Sequence, residues 1–302
     1  MTEGTKPGQA PHLFCFGLGY SARTLARRLM AEGWMVSGTC RDEETRKALS
    51  DEGVRAYLFD RDRPLGDAAD ILSPATDILS SVPPDDDGDP VVDCHGESIA
   101  SVTGIRWIGY LSTTGVYGDT GGARVDETSP VNPSSARSRR RVTAENRWLE
   151  LYWKQRLPVH LFRLAGIYGP GRSTLDQVRA GRARRIDRPG HLFSRIHVED
   201  IATILRTSMA RPRPGAVYNV CDDLPASPSD VVAYACDILG VDAPPVVSYD
   251  DAARDMSPMA LSFWHDNRTV DNSRVKRELE ITLAYPDYKS GLQAVLDAEA
   301  RR

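Results

Sequence analysis

The sequence predicts an α/β fold, a doubly wound parallel sheet of the Rossmann type with a smaller C-terminal substrate region. The main observation is that short apolar runs alternate with helical stripes, a pattern typical of βαβ units with right-handed crossovers. The second is the pattern GxGxxA at the first strand–helix junction. The third is a change after residue 167, where the alternation becomes irregular and Gly, Arg and Pro become frequent.

Six strands are predicted in the first part of the chain, at residues 13–16, 34–40, 54–60, 75–82, 107–112 and 158–164. Helices are predicted before Gly33, after Arg41, from Pro133 through Trp153, at 227–239 and at 271–280. The acidic loop DDDGD at 85–89 is interpreted as a solvated turn without a function.

The predicted organisation has three parts. They are a disordered tail at 1–11, an NAD(P)-binding Rossmann domain at 12–167, and a mainly substrate-binding region at 168–302. A strand near 216–221 is a candidate to return to the Rossmann sheet. The tail is polar and contains Gly and Pro, so we do not interpret it as a signal peptide.

The composition is that of an ordinary globular protein, with 41% hydrophobic and 26% charged residues. The net charge is −4, from 38 basic and 42 acidic residues, which provides no bulk attraction to nucleic acid or to an anionic membrane. Five scattered cysteines without CxxC spacing indicate reduced thiols in a cytoplasmic protein and no metal site. No apolar run has membrane-spanning length.

The GxGxxA pattern predicts a dinucleotide site. The first glycine would make the tight turn, the second would admit the pyrophosphate, and the small third residue would allow close packing of helix and strand. The phosphates would lie on the helix N-terminus. A plain turn is the alternative. The candidate cofactor-binding residues of this junction are Gly17, Gly19, Tyr20, Ser21 and Ala22.

The end of the second strand favours NADP over NAD. NAD-binding units carry an acidic residue here that holds the ribose hydroxyls, whereas this chain has Arg41. A guanidinium can pair with the 2′-phosphate of NADP, and Thr39 can add a hydroxyl; a surface arginine at a helix start is the alternative. Asp60 is a candidate for the adenine edge or for loop capping, and Val82 and Pro83 complete the candidate cofactor site.

Several segments resemble the extended short-chain dehydrogenase/reductase family of NAD(P)-dependent epimerases and dehydratases. They are GLGYSA at the first junction, YLSTTGVYGD at 110–119, VDETSPVNP at 125–133, RLAGIYGPGR at 163–172, SRIHVEDIA at 194–202 and AVYNVCDD at 216–223. The stretch SPMALSF at 257–263 is similar to an atypical bacterial branch. The resemblance implies that Thr113 hydrogen-bonds the substrate oxygen; a simple strand end is the alternative.

The proton-transfer pair Tyr-x-x-x-Lys of that family is absent. Counting back from Glu145 puts Arg137 at the tyrosine position and Arg141 at the lysine position. A guanidinium stays protonated in proteins, so Arg137 cannot act as the tyrosine does. Arg141 can still hold the nicotinamide ribose. The resemblance therefore implies the fold and the cofactor without the standard mechanism.

The arginines at the start of this helix suggest an anion site. Arg137 and Arg141 are one turn apart, and cations at a helix N-terminus are unfavourable unless an anion compensates them. Surface pairing with Asp126, Glu127 and Glu145 is the alternative. A second cluster could close over the same anion and comprises Arg179, Arg182, Arg184, Arg185 and Arg188.

Substitute acids and bases can be named but not chosen. Tyr117 and Tyr168 follow strands whose carboxyl ends bind ligands in such sheets, and His197 has a suitable ordinary pKa. Tyr117 is the leading candidate. The arginine that grips the diphosphate in many sugar-nucleotide enzymes of the family falls on Phe193 here, with Arg195 nearby. This departure argues against a nucleotide sugar.

These observations predict an NADP-dependent oxidoreductase or epimerase that acts on a small, anionic carbonyl or hydroxyl compound. Thr113 would hold the reacting oxygen, Arg141 the ribose, and Arg137 a substrate anion. The alternative is a non-catalytic NADP-binding sensor that lost the tyrosine. The expected partner is a small-molecule substrate, without nucleic acid or membrane; a homodimer is compatible with the sequence, which does not determine the oligomeric state.

Overall fold

The computed structural model describes residues 10–301, so residues 1–9 of the predicted tail lie outside the described part. Thirteen strands occur in the described chain: β1 His12–Phe16, β2 Met35–Cys40, β3 Arg55–Leu58, β4 Asp77–Ser80, β5 Trp107–Thr113, β6 Arg124–Val125, β7 Val159–Leu164, β8 Gly166–Tyr168, β9 Arg185–Asp187, β10 Arg195–His197, β11 Val217–Val220, β12 Val246–Ser248 and β13 Thr269–Val270.

Twelve α-helices occur within residues 10–301: α1 Tyr20–Ala31, α2 Glu43–Asp51, α3 Ala68–Leu72, α4 Pro90–Ser101, α5 Ala136–Gln155, α6 Thr174–Arg179, α7 Val198–Ala210, α8 Pro228–Leu239, α9 Tyr249–Ala253, α10 Pro258–His265, α11 Ser273–Leu279 and α12 Tyr288–Ala300. None of these helices is both long enough and apolar enough to cross a membrane. The helices α4 and α12 were not predicted from the sequence.

A seven-stranded parallel sheet has the strand order β11-β7-β5-β4-β1-β2-β3. The register pairs Phe14 of β1 with Ser37 of β2 on one side and with Ile78 of β4 on the other. The chain order reverses between β1 and β4, which is the switch point where ligands bind in open α/β sheets. The predicted doubly wound α/β fold is therefore confirmed.

The chain divides into two compact units. Unit 1 comprises Met1–Ser112, Arg140–Arg163 and Ala202–Tyr218, and unit 2 comprises Thr113–Arg139, Leu164–Ile201 and Asn219–Arg302. This division differs from a single boundary after residue 167. Residues 113–139 belong to unit 2, and residues 202–218 belong to unit 1 because they lead into β11, the outermost strand of the central sheet.

The core of unit 1 packs aromatic side chains of the sheet against α4 and α5. Phe14 and Phe16 are fully buried with their ring centroids 4.9 Å apart, and Trp148 of α5 stacks on Tyr110 at 5.7 Å. The Trp148 indole N–H donates to the Asp89 carboxylate over 3.0 Å. Because a buried indole N–H needs an acceptor, Asp89 fixes the position of α5 in the core.

The acidic loop at 85–89 is a solvated turn only in part, since Asp86 and Asp87 are exposed. Asp89 is fully buried and caps α4 by accepting the amides of Val91 and Val92, each over 3.0 Å. Asp85 forms a two-point ion pair with Arg61 at 2.8 Å. The structural role of Asp89 was not predicted because consecutive aspartates look alike in sequence, whereas only the last one lies at a helix N-cap.

Unit 2 contains three two-stranded sheets and its own core. The strand pairs are β8 with β10, β9 with β12, and β6 with β13. The core packs α8 and α12 around Tyr168, with Leu292 and Val295 of α12 fully buried. Gly291 allows this packing, because a Cβ there would lie 2.0 Å from the Tyr168 hydroxyl.

Candidate functional site

The loop between β1 and α1 belongs to unit 1 and is held by three hydrogen bonds. The Gly17 amide donates to the Thr39 hydroxyl over 2.9 Å, and the Ser81 hydroxyl donates to the Gly17 carbonyl. The Leu18 amide donates to the Thr39 carbonyl over 2.8 Å. Gly17 has φ +80°, and an added Cβ would lie 3.0 Å from Ser81 Oγ. This position therefore requires glycine.

Gly19 occupies the N-cap of α1, so the helix has no side-chain cap. Its φ of −83° suits any residue, and an added Cβ would meet no atom within 4 Å. Tyr20 is half-buried, whereas Ser21 and Ala22 are buried and pack the first turn of the helix against unit 1. An uncapped helix N-terminus attracts anions through its amides and dipole. The junction therefore fits a pyrophosphate.

Thr39 does not have the role that we expected, which was to add a hydroxyl for the 2′-phosphate of NADP. Its side chain is 1% exposed, and its hydroxyl oxygen accepts the Gly17 amide. Burial in the sheet keeps this hydroxyl from the 2′-phosphate that we predicted it could bind. Thr39 instead fixes the turn that leads into α1, so it supports the cofactor site through the shape of the loop.

Arg41 is exposed directly after β2, and a second arginine lies beside it. Arg63 donates from Nη2 to the Arg41 carbonyl over 2.7 Å and to the Asp60 carboxylate over 2.9 Å. Asp60 and Arg63 also exchange two backbone hydrogen bonds and form a tight turn. Asp60 therefore stabilises the turn after β3. Sequence reasoning missed Arg63, which follows β3 without any motif of its own.

The residues after β4 complete the predicted cofactor candidates. Val82 is half-buried, and its Cγ2 lies 3.1 Å from the position of a Cβ added to Gly17. Pro83 is exposed. Both therefore border the glycine loop within unit 1.

Arg141 belongs to unit 1 and is held by its Nη1. This nitrogen donates to the Tyr110 hydroxyl over 3.0 Å and to the Leu111 carbonyl over 2.8 Å. Burial raises the pKa of the Tyr110 phenol above its ordinary value, and the Arg141 charge opposes that shift. Arg141 therefore has a fixed orientation and retains the N–H groups of Nε and Nη2 for a ligand.

Glu145 anchors α5 rather than pairing with the arginines at its start. It receives three hydrogen bonds from buried Arg163, the shortest at 2.7 Å, and one of 2.6 Å from the Ser112 hydroxyl. The surface pairing that we considered for Glu145 is therefore wrong, because its carboxylate is 4% exposed and already bound to Arg163.

Thr113 and Tyr117 belong to unit 2 and differ in exposure. Thr113 is half-exposed, and its hydroxyl oxygen accepts the Gly115 amide over 3.1 Å, which leaves the hydroxyl proton for another acceptor. Tyr117 is 1% exposed and donates its hydroxyl to Asn219 Oδ1 over 2.7 Å. This burial is unlike the accessible proton donor expected at Tyr117, whereas the role expected of Thr113 stays a prediction.

Arg137 is exposed on unit 2, with its guanidinium carbon 5.9 Å from the ring centre of Phe263. Two acidic residues that we considered as partners of this helix end accept hydrogen bonds within unit 2. Asp126 accepts from Thr128 over 2.7 Å, and Glu127 accepts the Asn219 amide over 2.7 Å. An anion site at Arg137 stays a prediction.

The second arginine cluster does not act as one group. Arg179 pairs with Glu299 at 2.7 Å, whereas Arg188 stacks its guanidinium 4.5 Å from the ring centre of Tyr249 and donates to the Trp264 carbonyl. The remaining arginines at 182, 184 and 185 have no ion pair among the contacts described for residues 10–301. The expectation that these five arginines close together over one anion is therefore not supported by their contacts.

The contacts made by Tyr168, Arg195 and His197 are with other groups of unit 2 and have a structural role. The Tyr168 hydroxyl donates to the Asp287 carbonyl over 3.2 Å, and Arg195 Nη1 donates to the carbonyls of Phe193 and Ala226 over 2.8 and 2.9 Å. Burial lowers the pKa of Arg195. These groups therefore tie segments of unit 2 together, which differs from the substrate contacts expected of them.

His197 is 2% exposed and lies against two tyrosine rings, with centroid distances of 5.2 Å to Tyr168 and 4.1 Å to Tyr285. Its Nδ1 accepts the Glu199 amide over 3.2 Å, so the proton lies on Nε2. Burial lowers the pKa of His197 to about 4. A neutral, enclosed ring is poorly suited to the role of an acid or a substrate contact near pH 7.

Comparison with known proteins gives relatives over nearly the whole chain. No family model matches. A functionally unknown conserved protein from Silicibacter pomeroyi is 48% identical, with a TM-score of 0.88, covering 96% of this chain and 99% of that one. Protein YeeZ of Escherichia coli is 29% identical over 287 residues, covering 90% of this chain and 95% of YeeZ.

Enzymes with a bound cofactor have the same fold. The UDP-glucuronic acid 4-epimerase from Bacillus cereus, in complex with UDP-glucuronic acid and NAD, has a TM-score of 0.77 and 15% identity, covering 96% of this chain and 99% of the epimerase. At this identity the similarity establishes the fold alone. It confirms the Rossmann-type fold that the resemblance implied.

Proposed function

We propose that this chain, which belongs to the same family as the conserved protein of Silicibacter pomeroyi and has the fold of the NAD-dependent epimerases, is an NADP-dependent oxidoreductase or epimerase. Its substrate would be a small anionic compound with a reactive carbonyl or hydroxyl group. The observation that carries the proposal is the uncapped N-terminus of α1 behind a glycine loop whose shape is fixed by Thr39 and Ser81. That combination is typical of dinucleotide sites.

The residues of unit 1 would hold the cofactor. The first turn of α1 would bind the pyrophosphate, and Gly19 would let the backbone approach it. Arg141 would donate to the nicotinamide ribose from Nε and Nη2, because its Nη1 is occupied by Tyr110 and Leu111. When bound, the nicotinamide ring supplies or accepts a hydride.

Arg41 and Arg63 support the choice of NADP. Their positions after two neighbouring strands give two guanidinium groups for one 2′-phosphate, and the hydrogen bond from Arg63 to the Arg41 carbonyl links them. Asp60 partly neutralises Arg63. The preference for NADP should therefore depend more on Arg41, which is exposed, than on Arg63.

Two residues of unit 2 would contact the substrate. Thr113 would donate its hydroxyl proton to the reacting oxygen, since its oxygen already accepts the Gly115 amide. Arg137 would bind the carboxylate or phosphate of the substrate, because a guanidinium offers a planar pair of N–H groups to such anions. Within this proposal Arg137 positions the substrate and transfers no proton.

The test combines cofactor binding with turnover. Calorimetry with NADPH and NADH measures binding, and absorbance follows NADPH oxidation in the presence of small oxo-acids and aldehydes. We expect NADPH to bind and at least one oxo-acid to be reduced. Failure to bind either cofactor would refute the proposal.

A second candidate function is a non-catalytic NADP-binding sensor. The observation that favours it is Arg137 at the position of the family's tyrosine, with the other phenols Tyr117 and Tyr168 buried in unit 2. A sensor would bind NADPH with no turnover on any compound of the panel.

Restoring the family's Tyr-x-x-x-Lys pair distinguishes an anion-binding Arg137 from a reductase that has lost its catalytic acid. If Arg137 binds a substrate anion, Arg137→Tyr should weaken binding and lower turnover, because a phenol cannot form the bidentate pair. If the chain is a reductase that lost its acid, the double change Arg137→Tyr with Arg141→Lys should create NADPH oxidation that the parent lacks. Activity found only in the double variant would contradict the anion site at Arg137.

A further inference from the structure

Unit 2 contains a cavity that none of the predicted site residues lines. It is bordered by residues from the segment before α5, from α9 and from α10: Ser134, Ser135, Tyr249, Leu261, Ser262 and His265. Its volume is about 240 Å³. Cavities for drug-sized ligands start at about 300 Å³, so the volume of this one suits a compound the size of a single sugar ring.

The serine hydroxyls of the cavity already donate their protons to the protein. Ser134 donates to the Asp266 carboxylate over 2.6 Å, and Ser262 donates to the Met259 carbonyl over 2.7 Å. Ser135 donates to Ser138 over 3.0 Å. A hydroxyl has one proton and two lone pairs, so each of these oxygens can still accept a hydrogen bond.

His265 continues the same pattern. Its Nδ1 faces the Asp266 carboxylate at 3.3 Å, and in the tautomer that donates to this carboxylate Nε2 is an acceptor. The polar groups around the cavity thus present acceptors, and the complementary ligand is one with several hydroxyl donors. Leu261 and Tyr249 supply apolar surface for the carbon skeleton of such a ligand.

Arginines border this wall: Arg188 lies 4.5 Å from the ring centre of Tyr249, Arg139 donates to the Ser134 carbonyl over 2.9 Å, and Arg137 lies beside Phe263. Arg137 follows Ser135 by two residues and lies over Phe263, which is adjacent to Ser262. A hydroxyl-rich ligand in the cavity can therefore place an acidic group against Arg137.

We propose that this cavity binds an anionic polyol of monosaccharide size, with its hydroxyls on the serines and His265 and its acidic group on Arg137. The inference rests on the proposed function, because it names the substrate class of the same enzyme. Sugar acids and sugar phosphates share the required chemistry.

The test measures ligand binding to the full chain without cofactor, by ligand-observed NMR. The compounds are D-glucuronate, D-glucose 6-phosphate, D-glucose and inorganic phosphate. We expect one or both sugar acids to bind with millimolar affinity, about tenfold more tightly than glucose or phosphate alone. If D-glucuronate binds more tightly, the site prefers a carboxylate; if D-glucose 6-phosphate binds more tightly, it prefers a phosphate.

Ser262→Leu should fill the cavity and weaken binding of the sugar acid at least about tenfold. Ser101→Leu is the matched control, because Ser101 is also exposed at a helix end and donates to the carbonyl three residues earlier, over 2.8 Å. Arg137→Ala should reduce the affinity of the sugar acid to that of glucose. Melting temperatures of all variants check that they are folded.

Three results would overturn the cavity proposal. They are no binding of any sugar up to about 20 mM, equal binding by the parent and Ser262→Leu, or phosphate binding as tightly as the sugar phosphate. Cofactor binding is measured separately on the same protein. If no sugar binds in the cavity but the cofactor does bind, only this inference is refuted. If the cofactor does not bind, the proposed function is refuted.

Discussion

The two units use their predicted site residues in different ways. In unit 1 the glycine loop and Arg41 have the open geometry that a cofactor requires: a Cβ at Gly19 would meet nothing, and Arg41 is exposed. In unit 2 four predicted groups are enclosed and make hydrogen bonds within the unit. These four are Tyr117, Tyr168, Arg195 and His197.

The difference follows from what each motif encodes. A glycine pattern encodes a backbone shape, because φ +80° at Gly17 and the absence of a cap at Gly19 are direct consequences of the missing side chains. A tyrosine or histidine at a strand end encodes only a polar group, which can serve a substrate or a buried hydrogen bond. Backbone motifs are therefore the more dependable guide to function in this chain.

The largest expected effect is on cofactor affinity at the exposed glycine loop of unit 1. Gly19→Val should reduce the affinity for NADPH and NADH by more than about a hundredfold, at least ~2.7 kcal/mol, because the side chain would occupy the space needed by the pyrophosphate. The protein should stay folded, since φ −83° suits valine and an added Cβ meets no atom. Calorimetry measures the affinity.

Gly66→Val is the matched control for this change. Gly66 is also exposed, with nothing within 4 Å of an added Cβ, but it lies outside the glycine loop. It should keep the parent affinity. Equal affinities of Gly19→Val and the parent would mean that the glycine pattern is only a turn, and the contrast between the units would disappear.

The next effect tests whether the polar groups of unit 2 are as enclosed as the core of unit 1. Unit 1 has three buried histidines, His12, His95 and His160, and unit 2 has two, His191 and His197. Burial lowers the pKa of all five, and that of His160 and His197 to about 4. Between that value and the ordinary 6.5, the unfolded chain binds more protons than the folded one. The free energy of unfolding should therefore fall as the pH decreases from 6.5 to 4, by up to about 3 kcal/mol for each of His160 and His197.

Urea unfolding at several pH values measures this slope. His160→Gln and His197→Gln should each remove about half of the contribution of the pair. His265→Gln, whose side chain is 73% exposed, should leave the slope unchanged. If His197→Gln also leaves the slope unchanged, the His197 ring reaches water and becomes a candidate substrate contact again.

A smaller expected effect concerns the preference of unit 1 for NADP over NAD. We expect the parent to prefer NADP over NAD by at least about tenfold, and Arg41→Ala to remove most of that preference, since a charge-assisted hydrogen bond contributes ~1.5–3 kcal/mol. Arg63→Ala should remove a smaller part, because Asp60 already pairs with Arg63. Calorimetry with both cofactors measures each ratio.

Arg27→Ala is the control for these two variants. Arg27 is exposed on α1 and pairs with Glu52 at the C-terminal end of α2, so it carries the same charge away from the end of β2. Its removal should leave the ratio of affinities unchanged. Equal affinity of the parent for NADP and NAD would contradict the assignment of Arg41.

The sequence was sufficient for the fold and for the glycine turn between β1 and α1. Periodicity located six of the seven strands of the central sheet, and the seventh, β11, lies where a return to the sheet was considered. Arg63 and the cavity beside Ser262 were not found, because each depends on segments that are distant in the sequence. Such proximity leaves no periodic signal, unlike a buried strand or an amphipathic helix.

Asp89 illustrates the same limit. Its position before Pro90 is a recognisable helix start, since proline favours the first turn of a helix. However, its second role, accepting the indole N–H of Trp148, joins residues 59 positions apart. Local chemistry could have predicted α4, whereas the packing of α5 on it could not be predicted without the structure.

The smallest effect addresses Tyr117, the group that the sequence favoured as the acid. Tyr117→Phe removes the hydrogen bond to Asn219 and should lower the free energy of unfolding by about 1 kcal/mol. Turnover should stay within about twofold of the parent, because a 1% exposed hydroxyl bound to Asn219 cannot reach a substrate proton; loss of a general acid would cost at least about a hundredfold. Thr113→Val is the contrasting variant: it should abolish turnover, and Thr113→Ser should restore it. Measure thermal unfolding and NADPH oxidation for all three. A hundredfold loss in Tyr117→Phe with little change in stability would place the acid at Tyr117, and the four enclosed groups of unit 2 would no longer share one role.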